Sequence, residues 1–439
     1  MRDVLVCIAI CLLTKAVKAD DWRQWRGPHG TGAVNSATAN NLPPTTWSST
    51  QNISWKTAIP GRGHSSPVVV NDKIFLLSAT NVGEPLPPHM SGRPGEHDNL
   101  PITSKIQFLV LCIARDNGKI LWQKAVYEAV PVEAGHITAS LASATASATD
   151  DRVYANFGSH GLYCLDHQGD LVWQKHFGQM HTKHGHGEGA SPRVFEDTLI
   201  INWDHEEQSL IVAMNRHDGA VRWQLVRDED TSWSSPIVAI VDGKPQAIVC
   251  GTKRVRGYDL NSGKVVWECG GLSSNIVASP VYDTASGILV VGSSYEIRKL
   301  MAIDLIGASG DITDSKRVLW SRSARAPYVP SPLLVADGVY FLQHYQNVLS
   351  RVSVRDGRDA PGPLRLGELG NIYASPVSDG KHVFVTDLEG VTMVITATSD
   401  PKLVSTNILS EPVSASLAIA DDQIFIRGHQ HLYCIRATN

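Results

Sequence analysis

Histidine and aromatic side chains carry most of the chemistry open to this chain of 439 residues. The densest group is the run His181-Thr-Lys-His184-Gly-His186-Gly-Glu188. Imidazoles at that spacing, followed by a carboxylate, can fold around one borderline metal ion. Asp204, His205 and Glu206 stand where they could approach it. The alternative is a set of hydrogen-bonding surface histidines. Glycines at 185, 187 and 189 leave the loop without a preset ligand geometry, so the side chains of His181, His184 and His186 are expected to diverge. A second group supplies one residue from each of several repeat units: His64, Trp233, Asn275, Tyr328 and Tyr373. A ring of flat faces and polar atoms can stack a planar ligand or a sugar, and the plain alternative is a water-lined funnel. No serine sits in a nucleophile motif of the G-x-S-x-G kind.

A repeated frame must position these residues. Glycine followed four residues later by tryptophan occurs as Gly118–Trp122, Gly169–Trp173, Gly219–Trp223 and Gly263–Trp267. Ser-Pro precedes it at Ser66, Ser191, Ser235, Ser279, Ser331 and Ser375. From Pro192 to Trp223 and from Pro236 to Trp267 the spacing is the same 31 residues. Short strands recurring about every 40–50 residues mark a β-propeller. One unit reads as strands 191–195, 198–203, 209–215 and 220–226, with Asp218-Gly219 as the tight turn before the last. The tryptophans are expected to cover the core between blades. Innermost strands begin near Ser66, Ser140 or Ser143, Ser191, Ser235, Ser279, Ser331, Ser375 and Ser416, which makes eight. The final unit, ending Leu432–Arg436, lacks an outer strand, and Ile53–Thr57 can supply it. The fold class expected is therefore all-β: an eight-bladed propeller of four-stranded antiparallel blades, closed by its N-terminal strand, which removes an open sheet edge.

In such a ring the connectors between blades and the loops between second and third strands leave on one face. That rule sends His64, His89, His97, His136, His160, His181, His184, His186, His205, His344, His429 and His431 to the same side. Residues 81–105, rich in proline and long for a loop, also belong there, whereas the insertion 306–316 belongs to the opposite face.

The bulk properties restrict the function. Arg2, the apolar run Val4–Leu13 and Val17-Lys-Ala19 form a secretory signal over 1–19, followed by a leader over 20–52 and the propeller over 53–439. The formal charge is −4, and removing a signal of net +2 leaves −6, which argues against a nucleic-acid partner. The mature chain is expected to be exported, periplasmic or secreted, soluble and monomeric, with no transmembrane segment. Cys112, Cys164 and Cys434 share a repeat position that Ala213 and Ala302 fill elsewhere, so a small buried slot is expected there. No disulfide framework is expected, with Cys250–Cys269 the one pair to consider.

Asp259-x3-Gly263-x3-Trp267 and the count of eight resemble the pyrroloquinoline-quinone (PQQ) repeat propellers. That superfamily includes the quinoprotein alcohol dehydrogenases and an outer-membrane assembly lipoprotein propeller. The leader Asp21-Trp-Arg-Gln-Trp-Arg-Gly-Pro-His-Gly-Thr-Gly32, with Gly63-His-Ser-Ser-Pro67, Gly161-Leu-Tyr-Cys-Leu-Asp166, Ser232-Trp-Ser-Ser-Pro236 and Gly307-Ala-Ser-Gly-Asp-Ile-Thr313, resembles secreted bacterial PQQ-like repeat proteins. For the dehydrogenases the resemblance implies adjacent cysteines and a tryptophan around the quinone, with calcium held by Glu, Asn and Asp. Trp233 could imitate the tryptophan, but no adjacent cysteine pair or matched acid set occurs. No resident cofactor is expected, PQQ and a divalent metal being the two to test. The expected role is recognition of a protein, peptide or glycan partner in the cell envelope through the histidine-rich face. The alternative is a quinoprotein-like oxidoreductase or metal-dependent enzyme on the same face.

Overall fold

The computed structural model describes residues 21–34, 42–360 and 362–437. The expected signal over 1–19 lies outside the described residues.

Eight sheets form the ring, and in seven of them four strands run antiparallel from the innermost outward, in sequence order. Blade 3, for example, consists of Arg193–Phe195, Thr198–Trp203, Ser209–Asn215 and Val221–Arg227. Its middle strands are buried on both faces because neighbouring blades cover both, so they read as nearly continuous apolar runs. The outer strand alternates, with Trp223 turned inward. The eighth sheet is completed by Ile53–Ala58, which pairs with His431–Ile435 in the register Trp55↔Cys434 and Thr57↔Leu432. The two ends of the propeller are thereby joined through backbone hydrogen bonds.

The glycine–tryptophan phrase has a contact as its cause. Each indole lies under the turn of the following blade. The Nε1 of Trp55, Trp122, Trp173, Trp223 and Trp320 donates to the carbonyl of Arg115, His167, Arg216, Leu260 and Val354, respectively. The glycine of that turn sits flat on the ring: a Cβ on Gly263 would lie 2.7 Å from Trp223, at a φ of +75° that also favours glycine. Across the sheet from these tryptophans stand Cys112, Cys164, Ala213, Ala302 and Cys434. The slot is small because an indole fills the space opposite. Trp267 is the exception. It packs on Gly257 of its own blade and donates to Gln246 Oε1, because the insertion replaces the glycine turn beside it. Within that insertion Gly310–Asp311 adds a parallel fifth strand next to Trp267. The five described cysteines are buried and free.

The serines of the Ser-Pro phrase close the inner wall. Ser66 N donates to Thr145 Oγ1, Thr145 N to Ser191 Oγ, and the relay continues through Ser235, Ser279, Ser331 and Ser375 to Ser416, each bond spanning 2.8–3.1 Å. Proline follows most of these serines because the next residue donates nothing to the relay. Blade 2 corrects the sequence reading. Its place in the relay is Thr145, and its first strand is Ser147–Ala148, because the connector from blade 1 runs longer than Ser140 or Ser143 allowed.

The leader lies across the axis. Its carbonyls at Trp22, Arg23, Thr31 and Gly32 accept from Val69, Ala148, Leu334 and Ser378, on innermost strands of blades 1, 2, 6 and 7. Trp22 is buried in the core between blades 1 and 8. Arg26 is buried too, its guanidinium donating to the carbonyls of Pro376, Pro332 and Thr31. Burial without a carboxylate pushes its pKa down to about 9. Among the described residues no helix is long and apolar enough to cross a membrane.

Candidate functional site

One cavity of about 460 Å³ occupies the axis on the face formed by interblade connectors and the loops between second and third strands. Its floor comprises Trp25 of the leader and the serine relay, with Trp25 Nε1 donating to Ser279 Oγ at 3.3 Å. All five ring residues expected from sequence line it: His64, Trp233, Asn275, Tyr328 and Tyr373. They converge because each occupies the connector just before an innermost strand, so ring closure points them at one axis.

The walls differ in chemistry. On the side of blades 5 to 7 the rings form a ladder. Tyr328 stacks on His344 at 4.5 Å and 10°, and on Tyr295 at 5.5 Å. Tyr345 bridges His344 at 4.4 Å and Tyr373 at 5.6 Å. Burial first, then the neighbouring phenols, push the Tyr328 hydroxyl up to about 12, so it stays a neutral donor. Trp233 donates its Nε1 to Gly187 O at 2.7 Å. Asn275 Oδ1 and His64 Nε2 are buried atoms without a partner among the described residues, and both residues line the cavity. An unpaired buried polar atom is costly, so such atoms mark where a ligand group or an ordered water is needed.

The opposite wall is built of histidines. His184 and His186 stand 5.4 Å apart, and His97 from the proline-rich loop reaches both, at 4.8 and 4.9 Å between ring centroids. His136 touches His186 at 4.8 Å. Burial, followed by the neighbouring imidazoles, lowers the His186 pKa to about 4, so its ring is neutral at physiological pH. The loop that delivers His97 is held by its own bonds. Glu96 accepts from Ser91, Gly92, Arg93 and Asn99, and Asn99 in turn donates to the carbonyls of His184 and Gly185. His184 is held at a φ of 59°, a left-handed conformation that costs a non-glycine residue about 1–2 kcal/mol.

The structure separates the four residues His181, His184, His186 and Glu188. His184 and His186 share the histidine wall, Glu188 also lines the cavity, and His181 does not. His181 turns outward to Glu133, Glu207 and Arg93. Glu188 is tied to the hydroxyl and amide of Ser159, and burial raises its pKa to about 7. Gly187, at positive φ, turns the chain between His186 and Glu188, and Thr182 and Lys183 separate His181 from His184. Asp204 is paired with Arg227 in the interior, and Glu206 with Thr231. Among the described residues no group of three or more His, Cys, Asp or Glu is placed to hold a metal ion.

Sequence reasoning missed Trp25, Tyr295, Tyr345 and Asp98. It placed His97 and His344 on the correct face without assigning them to the cavity. The signal for Trp25 lay in the leader motif, whose position in the ring only the fold reveals. The cavity does not suit PQQ: among the described residues no lysine or arginine lines it to meet a tricarboxylate, and the described cysteines lie buried in the blades.

Residues 107–360 match the family model described as outer membrane protein assembly factor BamB. An outer membrane protein assembly factor BamB of Yersinia pestis is 24% identical over 332 residues, covering 70% of this chain and 76% of that one. The crystal structure of BamB from Moraxella catarrhalis is similar in fold, with a TM-score of 0.55 at 14% identity over 88% of this chain and 98% of that chain. A europium-containing methanol dehydrogenase is more distant, with a TM-score of 0.48 at 10% identity over 93% of this chain and 90% of that one. The family match spans more than half of the sequence, and this chain belongs to the PQQ-like β-propeller family of the BamB kind.

Proposed function

We propose that this PQQ-like propeller is an exported recognition module that takes an extended segment of an envelope protein in its axial cavity. The supporting observation is the cavity itself: an aromatic ladder faces a polar histidine wall over a floor sealed by Trp25. Its volume falls in the range of about 300–1,000 Å³ usual for small-ligand pockets, enough for one or two side chains of a peptide. Stacked tyrosines offer large apolar faces at low entropic cost, while Asn275 and His64 offer unpaired atoms for main-chain groups. The matched relatives are named for outer membrane protein assembly, which favours a protein partner over a glycan. The expected export and the absence of a membrane-spanning helix among the described residues agree with a role in the envelope.

Fluorescence anisotropy with labelled extended peptides carrying aromatic side chains tests this reading. Binding should fall at least tenfold in the Tyr345→Ala, Tyr373→Ala double variant. It should be unchanged when Asp218, on the opposite face, is replaced by Asn. Peptide affinity that is indifferent to the tyrosines overturns the proposal. So does oligosaccharide binding in place of peptide binding.

A further inference from the structure

The serine relay uses only the acceptor half of each hydroxyl. Ser191, Ser235, Ser279, Ser331, Ser375 and Ser416 each accept a backbone N–H on Oγ, and among the described residues none of these six oxygens donates. All six line the cavity at its floor. A hydroxyl has one proton and two lone pairs, so each relay serine keeps an O–H donor while the relay holds its oxygen in place. The floor is therefore edged with donors of one kind. A ligand that accepts from them leaves every relay bond intact.

Buried positive charge lies behind them. Arg26 donates to the carbonyls of Pro332 and Pro376, the residues that follow Ser331 and Ser375, and does not itself line the cavity. Arg193, next but one after Ser191, is buried as well. Among the described residues no carboxylate pairs with either guanidinium, and burial lowers their pKa to about 9 and about 10. Both stay charged at physiological pH, and an uncompensated buried cation favours an anion nearby. Asn275, 5% exposed, lines the cavity with its Oδ1 unpartnered among the described residues, ready for a main-chain N–H. The acids of the cavity are directed elsewhere. Glu188 turns its carboxylate to the amide and hydroxyl of Ser159, and Asp98 belongs to the proline-rich loop at the rim.

The shape selects the source of the anion. Trp25 closes the floor, so a chain entering at the mouth cannot pass through. A volume of about 460 Å³ takes the end of a chain rather than a hairpin. We propose, resting on the reading that the cavity takes an extended segment, that it takes the C-terminal end of that segment. The terminal carboxylate accepts from the hydroxyls of Ser331 and Ser375, and a main-chain N–H beside it donates to Asn275 Oδ1. The last side chain then lies against Tyr328 and Tyr373, which precede those two serines in the same connectors. Hydrogen bonds to an ionised acceptor are about twice as strong as neutral ones, so a free acid is preferred to an amide. Fixed donors at a blind end are one way that proteins read a chain terminus.

The test uses one N-terminally labelled peptide with aromatic residues, made as the free acid, as the C-terminal amide, and as the amide ending in glutamate. Each is titrated by fluorescence anisotropy into protein lacking only residues 1–19. The free acid should bind about tenfold or more tighter than either amide. The Ser331→Ala, Ser375→Ala double variant should weaken the acid about tenfold and the plain amide less than about twofold, so that the two converge. Thermal unfolding shows whether that variant is folded, and the comparison of peptides on the parent protein needs no variant. Acid and amide binding equally, with the loss in the Tyr345→Ala, Tyr373→Ala variant retained, overturns this inference and leaves recognition of a segment standing. An amide ending in glutamate that matches the free acid overturns it too, because the carboxylate then comes from a side chain. So does an undiminished preference for the acid in the folded serine variant. Failure of all three peptides to bind overturns both readings.

Discussion

Buried imidazoles couple this molecule's stability to pH. His160 stacks on Phe108 at 4.4 Å, and its Nε2 has no partner among the described residues. Burial lowers its pKa to about 4, against an ordinary 6.5 in the unfolded chain. Between those values the unfolded chain binds the extra proton, so the stabilisation present above pH 6.5 is lost as pH falls towards 4. Its share between pH 7 and pH 5 should be about 2 kcal/mol. Replacing His160 with Phe, which can keep the stack, should shrink the difference between denaturant-derived stabilities at pH 7 and pH 5 by that amount. An unchanged difference would show that His160 already titrates normally in the fold. The same scale shows the limit of motif reading. His181, His184 and His186 look equivalent along the chain, yet His181 meets Glu133, Glu207 and Arg93 while the other two line the cavity.

At the scale of the element, the glycine turn and the tryptophan of the preceding blade act as one joint. Gly263→Ala meets two penalties, a clash with Trp223 and a side chain at positive φ. The second alone costs about 1–2 kcal/mol. Trp223→Ala removes a buried indole and its bond to Leu260 O, a loss of about 3–5 kcal/mol. The double variant should cost less than the sum of the two, because the alanine at 263 no longer meets a ring. A double-mutant cycle by chemical denaturation checks this coupling, and strict additivity would mean that the glycine and the indole do not act together. The motif was readable because both partners recur at fixed spacing. The joint between Gly118 and Trp55 was harder to see, since the proline-rich loop 81–105 lengthens the spacing between the two residues.

For the whole molecule, closure and plugging are separate roles of the N-terminal region. Starting the chain at Ile53 keeps the strand that pairs with Leu432–Ile435 but removes Trp22, Trp25 and Arg26 from the axis. That protein should remain dispersed, with a lower melting temperature and a cavity open at its floor. Starting at Ile59 removes the strand as well, leaves a bare sheet edge, and should aggregate. Size-exclusion chromatography with light scattering separates the two outcomes. Equal behaviour of both truncations would show that Ile53–Ala58 does not hold the ring closed.

The residue pattern by itself determined the blade count, the strand order, the inward tryptophans and the closing strand. Each rests on contacts between neighbours at a constant spacing, such as Gly219 on Trp173 or Ser191 against Ser235. The face rule carried His64, Trp233, Asn275, Tyr328 and Tyr373 to a common side for the same reason. Only the tertiary structure decided that the leader crosses the axis, that Trp25 floors the cavity, and that His97 joins His184 and His186. Those meetings are between segments far apart in sequence and outside the repeat. Where a non-repeating loop comes to rest depends on the shape of the closed ring and on single bonds such as Asn99 to His184 O, which no periodicity encodes.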